Sequence, residues 1–222
     1  MAFTLQLAQD LVEVEAGGNT PVSVTVVNKG QETDRYEHEI EGNDAEWKAI
    51  PVPIFAVEPE ETRTERVFVK PPRMSESLAG NYPFVIRLRS LESGEQKSAQ
   101  GVVHLRPYHH ISLEIDPKKG SVSPFSNRNQ FEVTVVNLGN TEHTVQLVGS
   151  DPEDACTYDF DGDQVSVGPG QQKAVGVVVT PASHPIFSSG KLIGFTVSAR
   201  SVDTPSVVAT AQAQLERRSL IT

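Results

Sequence analysis

The stretch Val24-Thr25-Val26-Val27-Asn28-Lys29-Gly30 recurs 109 residues later as Val133-Thr134-Val135-Val136-Asn137-Leu138-Gly139, and six of the seven positions are identical. A second pair of blocks, Val57-Glu58-Pro59 and Val167-Gly168-Pro169, follows at a spacing of 110 residues. Matched blocks in the same order, at a nearly constant spacing, indicate an internal duplication. A single one-residue insertion between the blocks accounts for the change in spacing.

Apolar residues occupy every second position of many short stretches in both copies. In the first copy they are Phe3/Leu5/Leu7, Val22/Val24/Val26, Tyr36/His38/Ile40, Val67/Val69, Phe84/Ile86/Leu88 and Val103/Leu105. In the second they are Ile111/Leu113/Ile115, Phe131/Val133/Val135, Val145/Leu147, Val175/Val177/Val179 and Phe195/Val197/Ala199. This period of two is typical of antiparallel strands in two packed layers, and about seven strands in about 110 residues suit an immunoglobulin-like unit. The sequence therefore predicts an all-β chain of two tandem immunoglobulin-like antiparallel β-sandwiches, residues 1–107 and 108–222.

The predicted boundary falls within Pro107-Tyr108-His109-His110, which we take as a candidate junction or interaction site. A short linker that contains proline has limited freedom. Consecutive strand residues point to opposite faces, so His109 and His110 are not expected to bind one metal ion together. We expect these imidazoles to pack and to form hydrogen bonds.

The repeated Asn-x-Gly pieces are predicted to be turns. Asn tolerates the left-handed backbone conformation and Gly adopts it freely, so Asn28-Lys29-Gly30 and Asn137-Leu138-Gly139 are expected to end a strand at a hairpin or sheet crossing.

Composition excludes several classes of partner. The formal net charge is -10, and both copies are acidic, so neither nucleic acid nor an anionic membrane surface is an expected partner. Cys156 is the only cysteine, so no intramolecular disulfide can form. The first residues alternate as a strand does, whereas a secretory leader needs an apolar run. We therefore expect a soluble, cytoplasmic protein.

Signatures of catalysis are missing from the sequence. There is no Gly-x-Ser-x-Gly elbow and no phosphate-binding glycine pattern, and Cys156 lies among carboxylates that should raise its thiol pKa. We predict that the chain is not an enzyme and uses no cofactor, with hydrolase activity kept only as a minor alternative.

An acidic loop is the weak candidate for a metal site. It contains Asp159, Asp161 and Asp163, but counted from Asp159 the glycine is fourth and the twelfth residue is Gly170, so the EF-hand spacing fails. Weak Ca²⁺ binding and a merely solvated loop both stay open.

Trp47 is the only tryptophan and has two interpretations. If exposed, it is a stacking platform for sugar; if buried, it packs between the two sheets of a sandwich. Burial is favoured, because a sugar site usually uses more than one aromatic side chain.

The first copy also carries a family pattern: Asn-x-Gly after the second predicted strand, Trp47, Pro59, Pro71-Pro72 and the stretch 79–84. The second copy retains Pro169, Pro181 and Gly190, and it has Tyr158 near the place of Trp47. This pattern resembles the prokaryotic immunoglobulin-like domains of the α-galactosidase-associated, CARDB-like and Hydin-like groups. The resemblance implies a non-catalytic protein-interaction or spacer module of a larger protein or assembly, with a protein as partner. An accessory carbohydrate-binding module is the alternative.

Overall fold

Two compact units make up the chain, Met1–Tyr108 and His109–Thr222. The computed structural model describes residues 2–42, 44–182 and 190–218. The division between the units falls one residue after the boundary expected from the sequence.

Within residues 2–42 and 44–108, the first unit is a two-layer sandwich of nine strands and one 3-10 helix. The four-stranded sheet has the order β1-β3-β7-β5 and the five-stranded sheet the order β2-β9-β8-β4-β6. The elements are β1 Phe3–Leu7, β2 Leu11–Val14, β3 Thr20–Asn28, β4 Asp34–Gly42, the helix Ala45–Trp47, β5 Lys48–Ala49, β6 Ile54–Val57, β7 Thr62–Val69, β8 Gly80–Ser90 and β9 Gln96–Leu105.

The second unit repeats this arrangement strand for strand. Its sheets have the orders β10-β12-β16-β14 and β11-β18-β17-β13-β15. The strands are β10 Ile111–Asp116, β11 Lys119–Val122, β12 Asn129–Asn137, β13 His143–Ser150, β14 Cys156–Phe160, β15 Gln164–Val167, β16 Gln172–Pro181, β17 Lys191–Ser201 and β18 Val208–Arg217.

The predicted all-β, immunoglobulin-like fold is confirmed. The sheets are antiparallel except at one edge of each unit, where β2 pairs in parallel with β9 and β11 with β18. These parallel pairs arise because the chain leaves the first sheet after β1 or β10 and continues in the same direction along the second sheet. No helix in the described part of the chain is long and apolar enough to cross a membrane.

The predicted alternating residues form the two cores. Val24, Val26, Ile86 and Leu88 are fully buried in the first unit, and the second unit has its own core around Val133, Val135, Val177, Val179 and Val197. Their polar strand neighbours point outward, because side chains on a strand alternate between its two faces.

A buried asparagine joins the two sheets of the first unit. Asn28, at the end of β3, is only 1% exposed. Its Nδ2 donates to the carbonyls of Val57, on the opposite sheet, and Glu32 at 3.0 and 2.8 Å, and its Oδ1 accepts the Gly30 N–H at 2.8 Å. Its own backbone N–H donates to the Glu61 carbonyl and its carbonyl accepts the Glu60 N–H.

Asn137 makes the same set of contacts in the second unit. It is fully buried; Nδ2 donates to the carbonyls of Thr141 and Val167, and Oδ1 accepts the Gly139 N–H. Its backbone pairs with Gly170 and Gln171. We call Asn28 and Asn137, with these partners, the asparagine hubs.

The hubs correct the expected reason for the Asn-x-Gly repeat. The pieces do end strands, but Gly30 lies outside the left-handed region, and a Cβ there would come 3.0 Å from the Asn28 Oδ1. Glycine at position 30 therefore eases the close approach of the carboxamide. The left-handed backbone occurs instead in the loop that meets each hub, at Glu60 (φ 56°) and Gly170 (φ 70°).

The core of the first unit is more polar than that of the second. Tyr36 and His38 on β4 occupy the positions of Val145 and Leu147 on β13, as the pairing with β8 and β17 shows. His38 is 2% exposed, and neither of its ring nitrogens has a hydrogen-bond partner among the described residues. Burial lowers the pKa of the His38 imidazole, although the nearby Val52 carbonyl opposes this effect without reaching hydrogen-bond geometry.

Replacing Asn28 with Ala should lower the free energy of unfolding of the first unit by about 2–4 kcal/mol, because three backbone groups lose a buried partner. Urea unfolding followed by the fluorescence of Trp47, the only tryptophan, measures this loss. Asn19→Ala, at an exposed position, is the matched control. Equal midpoints for the two variants would contradict the role of the hub.

His38→Leu gives the first unit the leucine that the second unit has at this position. It should stabilise the first unit by about 1–2 kcal/mol, since it removes an unpartnered buried polar group. The same fluorescence measurement applies. The reverse change, Leu147→His, should destabilise the second unit, as measured by thiol labelling of Cys156 in urea. A loss of stability on His38→Leu would show that the imidazole has a partner in solution.

Candidate interaction surface

The four predicted junction residues do not form one cluster within either unit. In the first unit, Pro107 is exposed, whereas Tyr108 packs against the small cluster of Ala16, Trp47 and Leu105. The Arg73 guanidinium lies 4.4 Å from the centroid of the Tyr108 ring, which is a cation–π contact. Tyr108 thus has a packing role in its own unit.

His109 is the junction residue with the most specific side-chain contacts. Its Nδ1 lies 2.9 Å from the Nε2 of His143, and the His143 Nδ1 lies 2.8 Å from the Ser201 Oγ. Ser201 Oγ also accepts the Thr204 N–H at 3.1 Å. His110, in contrast, uses its backbone carbonyl to accept the Leu138 N–H. The two adjacent histidines therefore act separately.

This Ser–His–His chain holds the end of the second unit together and is unsuited to nucleophilic catalysis. Ser201 and His143 are each 1% exposed, so no substrate can reach the hydroxyl. The His109 Nδ1 and the His143 Nε2 lie 2.9 Å apart, so only one proton can lie between these two nitrogens. Burial lowers the pKa of His143, the neighbouring His109 lowers it further, and Asp203 opposes the shift.

Sequence reasoning missed the partners of His109, and the duplication could have indicated them. In the first unit the corresponding positions are Asp34 and Ser90, whose Oδ2 and Oγ lie 2.6 Å apart. Both pairs lie beside a hub, because Asp34 pairs with Val57 and His143 with Val167. A buried polar pair is thus retained at this place with a different chemistry in each copy.

The residues of the predicted acidic loop are dispersed. Asp159 lies on β14, the Asp161 carboxylate covers Gly176, and Asp163 Oδ2 accepts from Gln146 Nε2 at 3.1 Å. Across residues 2–42, 44–182 and 190–218, no three His, Cys, Asp or Glu side chains are arranged to hold a metal ion. Ca²⁺ binding by this loop stays an untested expectation.

Asp151 organises the preceding loop instead. Its carboxylate accepts from the backbone N–H groups of Glu153, Ala155 and Cys156 and from the Tyr158 hydroxyl. Burial opposes ionisation, but these hydrogen bonds outweigh it and lower the pKa of Asp151. Burial and the Asp151 charge raise the pKa of the Cys156 thiol to about 11, as the sequence predicted in direction. Cys156 is therefore a weak nucleophile.

Trp47 is buried, with 6% of its surface exposed. Its ring meets Tyr82, on the opposite sheet, edge to face at a centroid distance of 4.9 Å. Burial is thus confirmed, in a small cluster with Ala16 and Leu105 that is separate from the main core, and Trp47 offers no platform to a sugar.

The outer face of the five-stranded sheet is charged in the first unit. Arg87 pairs with Glu41 at 2.7 Å and Arg89 with Glu37 at 2.6 Å. Charged residues therefore cover the middle of this face and keep it hydrated.

The corresponding face of the second unit is uncharged at its centre. Gln146, Val148 and Ser198 stand where the first unit has Glu37, Glu39 and Arg87. We call this surface the neutral face; its outward residues are Thr144, Gln146, Val148, Thr196, Ser198, Thr210 and Gln212, and Arg200, in the position of Arg89, is a charged residue at its margin. Val148 is 51% exposed. Depletion of charge is typical of the centre of protein–protein interfaces.

A recess of about 510 Å³ opens at one end of the neutral face. It is lined by Lys118, Lys119, Pro152, Gly194, Phe195, Thr196, Gln212, Ala213 and Gln214. The sequence showed no signal for it, because its residues come from three strands and two loops that only the fold brings together.

Comparison with known families places the fold of the first unit. Residues 6–103 match the family model described as the IG-like fold at the C-terminal of FixG, a putative oxidoreductase. This match supports the immunoglobulin-like fold, and the finer resemblance to the α-galactosidase-associated, CARDB-like and Hydin-like groups stays a prediction.

Solved structures with similarity to the chain share little sequence with it. The D00-D0 domain of intimin has 8% identity and a TM-score of 0.42, with 96% of this chain and 98% of that chain covered. A Porphyromonas gingivalis W83 protein of unknown function has 12% identity, a TM-score of 0.36 and coverages of 96% and 99%. The E. coli chaperone DraB has 10% identity, a TM-score of 0.34 and coverages of 98% and 97%. These similarities assign no function to this chain. No curated protein matches it.

The second unit should lose stability as the pH falls from 7 to 5. His143 binds a proton less readily in the folded state than its ordinary pKa of 6.5 implies, so the unfolded state gains protons first and is favoured as the pH drops. Pulse labelling of Cys156 in urea at a series of pH values measures this trend. His143→Gln should flatten it, and His110→Gln, at an exposed neighbour, should not. A pH dependence unchanged by His143→Gln would contradict the assignment.

Proposed function

We propose that the chain is a non-catalytic protein-interaction or spacer module of a larger protein or assembly, and that its contact surface is the neutral face. The observation that carries the proposal is a contrast between the copies. The hubs and the strand order are the same in both units, whereas the outer faces differ in charge. A duplicated scaffold that retains its strand order and its buried asparagines and changes one outer face is suited to a binding role at that face.

Chemistry in this chain argues against an oxidoreductase role. The description as a putative oxidoreductase belongs to FixG, and the family model of the FixG C-terminal domain matches the first unit. Iron–sulfur clusters are held by several cysteine thiolates, and this chain has one cysteine. The buried Ser201 and the poorly ionised Cys156 leave no accessible activated nucleophile among the groups considered.

The carbohydrate-binding alternative has no observation in its favour. Trp47 is buried, and of the large exposed hydrophobic side chains within the described residues only Phe125 is aromatic, at 86% exposure. One isolated ring does not make a sugar-stacking strip.

The proposal predicts that the whole chain, used as bait in extract of its source organism, retains a protein that cross-links to the neutral face. An unrelated immunoglobulin-like domain of similar net charge is the control bait. Val148→Lys, which places a charge at the centre of the face, should release the protein, whereas Val52→Lys, at an exposed position of the first unit, should not. Retention of no protein beyond the control bait, or an intrinsic turnover by the chain, would count against the proposal.

A further inference from the structure

The recess beside the neutral face has the size and the lining of a binding site. Its volume of about 510 Å³ lies within the range of ligand pockets. Phe195 and Ala213 are buried core residues, so the sheet itself forms the floor. Gly194 leaves the space above the floor open, because a Cβ at this position would have no atom within 4 Å.

The charge of the recess is opposite to that of the chain. Two lysines line it and none of the lining residues carries a carboxylate, although the chain has a net charge of -10. Lys119 is paired with Glu216 at 3.2 Å. Lys118 is exposed and makes no ion pair within the described part of the chain, so its charge is available to a ligand.

The first unit has different residues at the place that corresponds to the recess. The backbone N–H of Gln214 donates to the Lys118 carbonyl, as that of Val102 donates to the Asp10 carbonyl. Asp10 therefore stands in the position of Lys118. By strand pairing, Pro83 stands in the position of Gly194 and Leu11 in that of Lys119. The first unit therefore has a proline in place of the glycine and a carboxylate in place of the lysine.

We infer that the recess of the second unit binds an acidic, extended segment of the partner protein. A carboxylate of the segment pairs with Lys118, and an adjacent apolar side chain occupies the space above Gly194. Thr196, Gln212 and Gln214 supply donors and acceptors for the main chain of the segment. This inference rests on the proposed function, and charge complementarity selects the occupant: on a chain of net negative charge, an acidic segment is favoured where the local lining is positive.

Three capped pentapeptides test the inference: Gly-Glu-Leu-Glu-Gly, Gly-Gln-Leu-Gln-Gly and Gly-Lys-Leu-Lys-Gly. Each is titrated to about 10 mM, a range in which weak complexes of about 4 kcal/mol are detected, into the ¹⁵N-labelled whole chain. The acidic peptide should shift the amide signals of Gly194, Thr196 and Gln214, and added salt should weaken the effect. Equal shifts with the neutral peptide, shifts confined to other residues, or no shifts would overturn the inference.

Two variants taken from the comparison of the copies sharpen the test. Lys118→Asp should weaken binding of the acidic peptide by about two- to fivefold, the effect of losing an exposed ion pair, whereas Lys173→Asp, an exposed lysine outside the lining, should leave it unchanged. Gly194→Leu should block the recess, with Gly162→Leu as the control at another open position. Affinities unaffected by Lys118→Asp and Gly194→Leu would contradict the assigned site.

Failure of this inference is distinguishable from failure of the proposed function. The whole chain could retain a partner that the Gly194→Leu and Lys118→Asp variants also retain in full. That result would support the interaction role and exclude the recess as its contact site.

Discussion

Both sandwiches depend on one buried carboxamide each. The Nδ2 groups of Asn28 and Asn137 reach carbonyls on the opposite sheet, at Val57 and Val167, with nearly the same distances in the two units. A carboxamide offers two donors and an acceptor in one plane, and here all are used in a place that excludes water. Without the carboxamide, several backbone groups would be buried without a partner, so the position tolerates little change while the surfaces around it can vary.

The variation between the copies follows from this constraint. Positions near each hub keep a buried polar pair, Asp34 with Ser90 in one unit and His143 with Ser201 in the other. Outward positions are less restricted, and there the first unit has a charged ladder where the second has the neutral face and the recess. The second unit therefore combines the shared hub and strand order with the surface best suited to a partner, and its acid-sensitive histidine lies away from the recess lining.

Candidate sites were harder to predict than strands. Burial of Trp47 and the weak reactivity of Cys156 followed from composition and neighbouring charge. His109 was singled out, but its partners His143 and Ser201 lie far along the chain and meet it only through strand pairing. The recess had no sequence signal. A glycine within a strand is expected only to weaken that strand, and the sequence does not show that the lysines lie beside it.

Sequence by itself determined that this is a duplicated all-β chain with alternating cores, because the period of two and the repeated blocks are local properties. It did not determine the short strands β2 and β11, which pair in parallel at sheet edges and contain few alternating residues. Nor did it determine that the repeated asparagine bonds across the sandwich rather than turning the backbone. Only the tertiary structure decided these points, since each depends on which distant carbonyl, strand or charge lies opposite a given side chain.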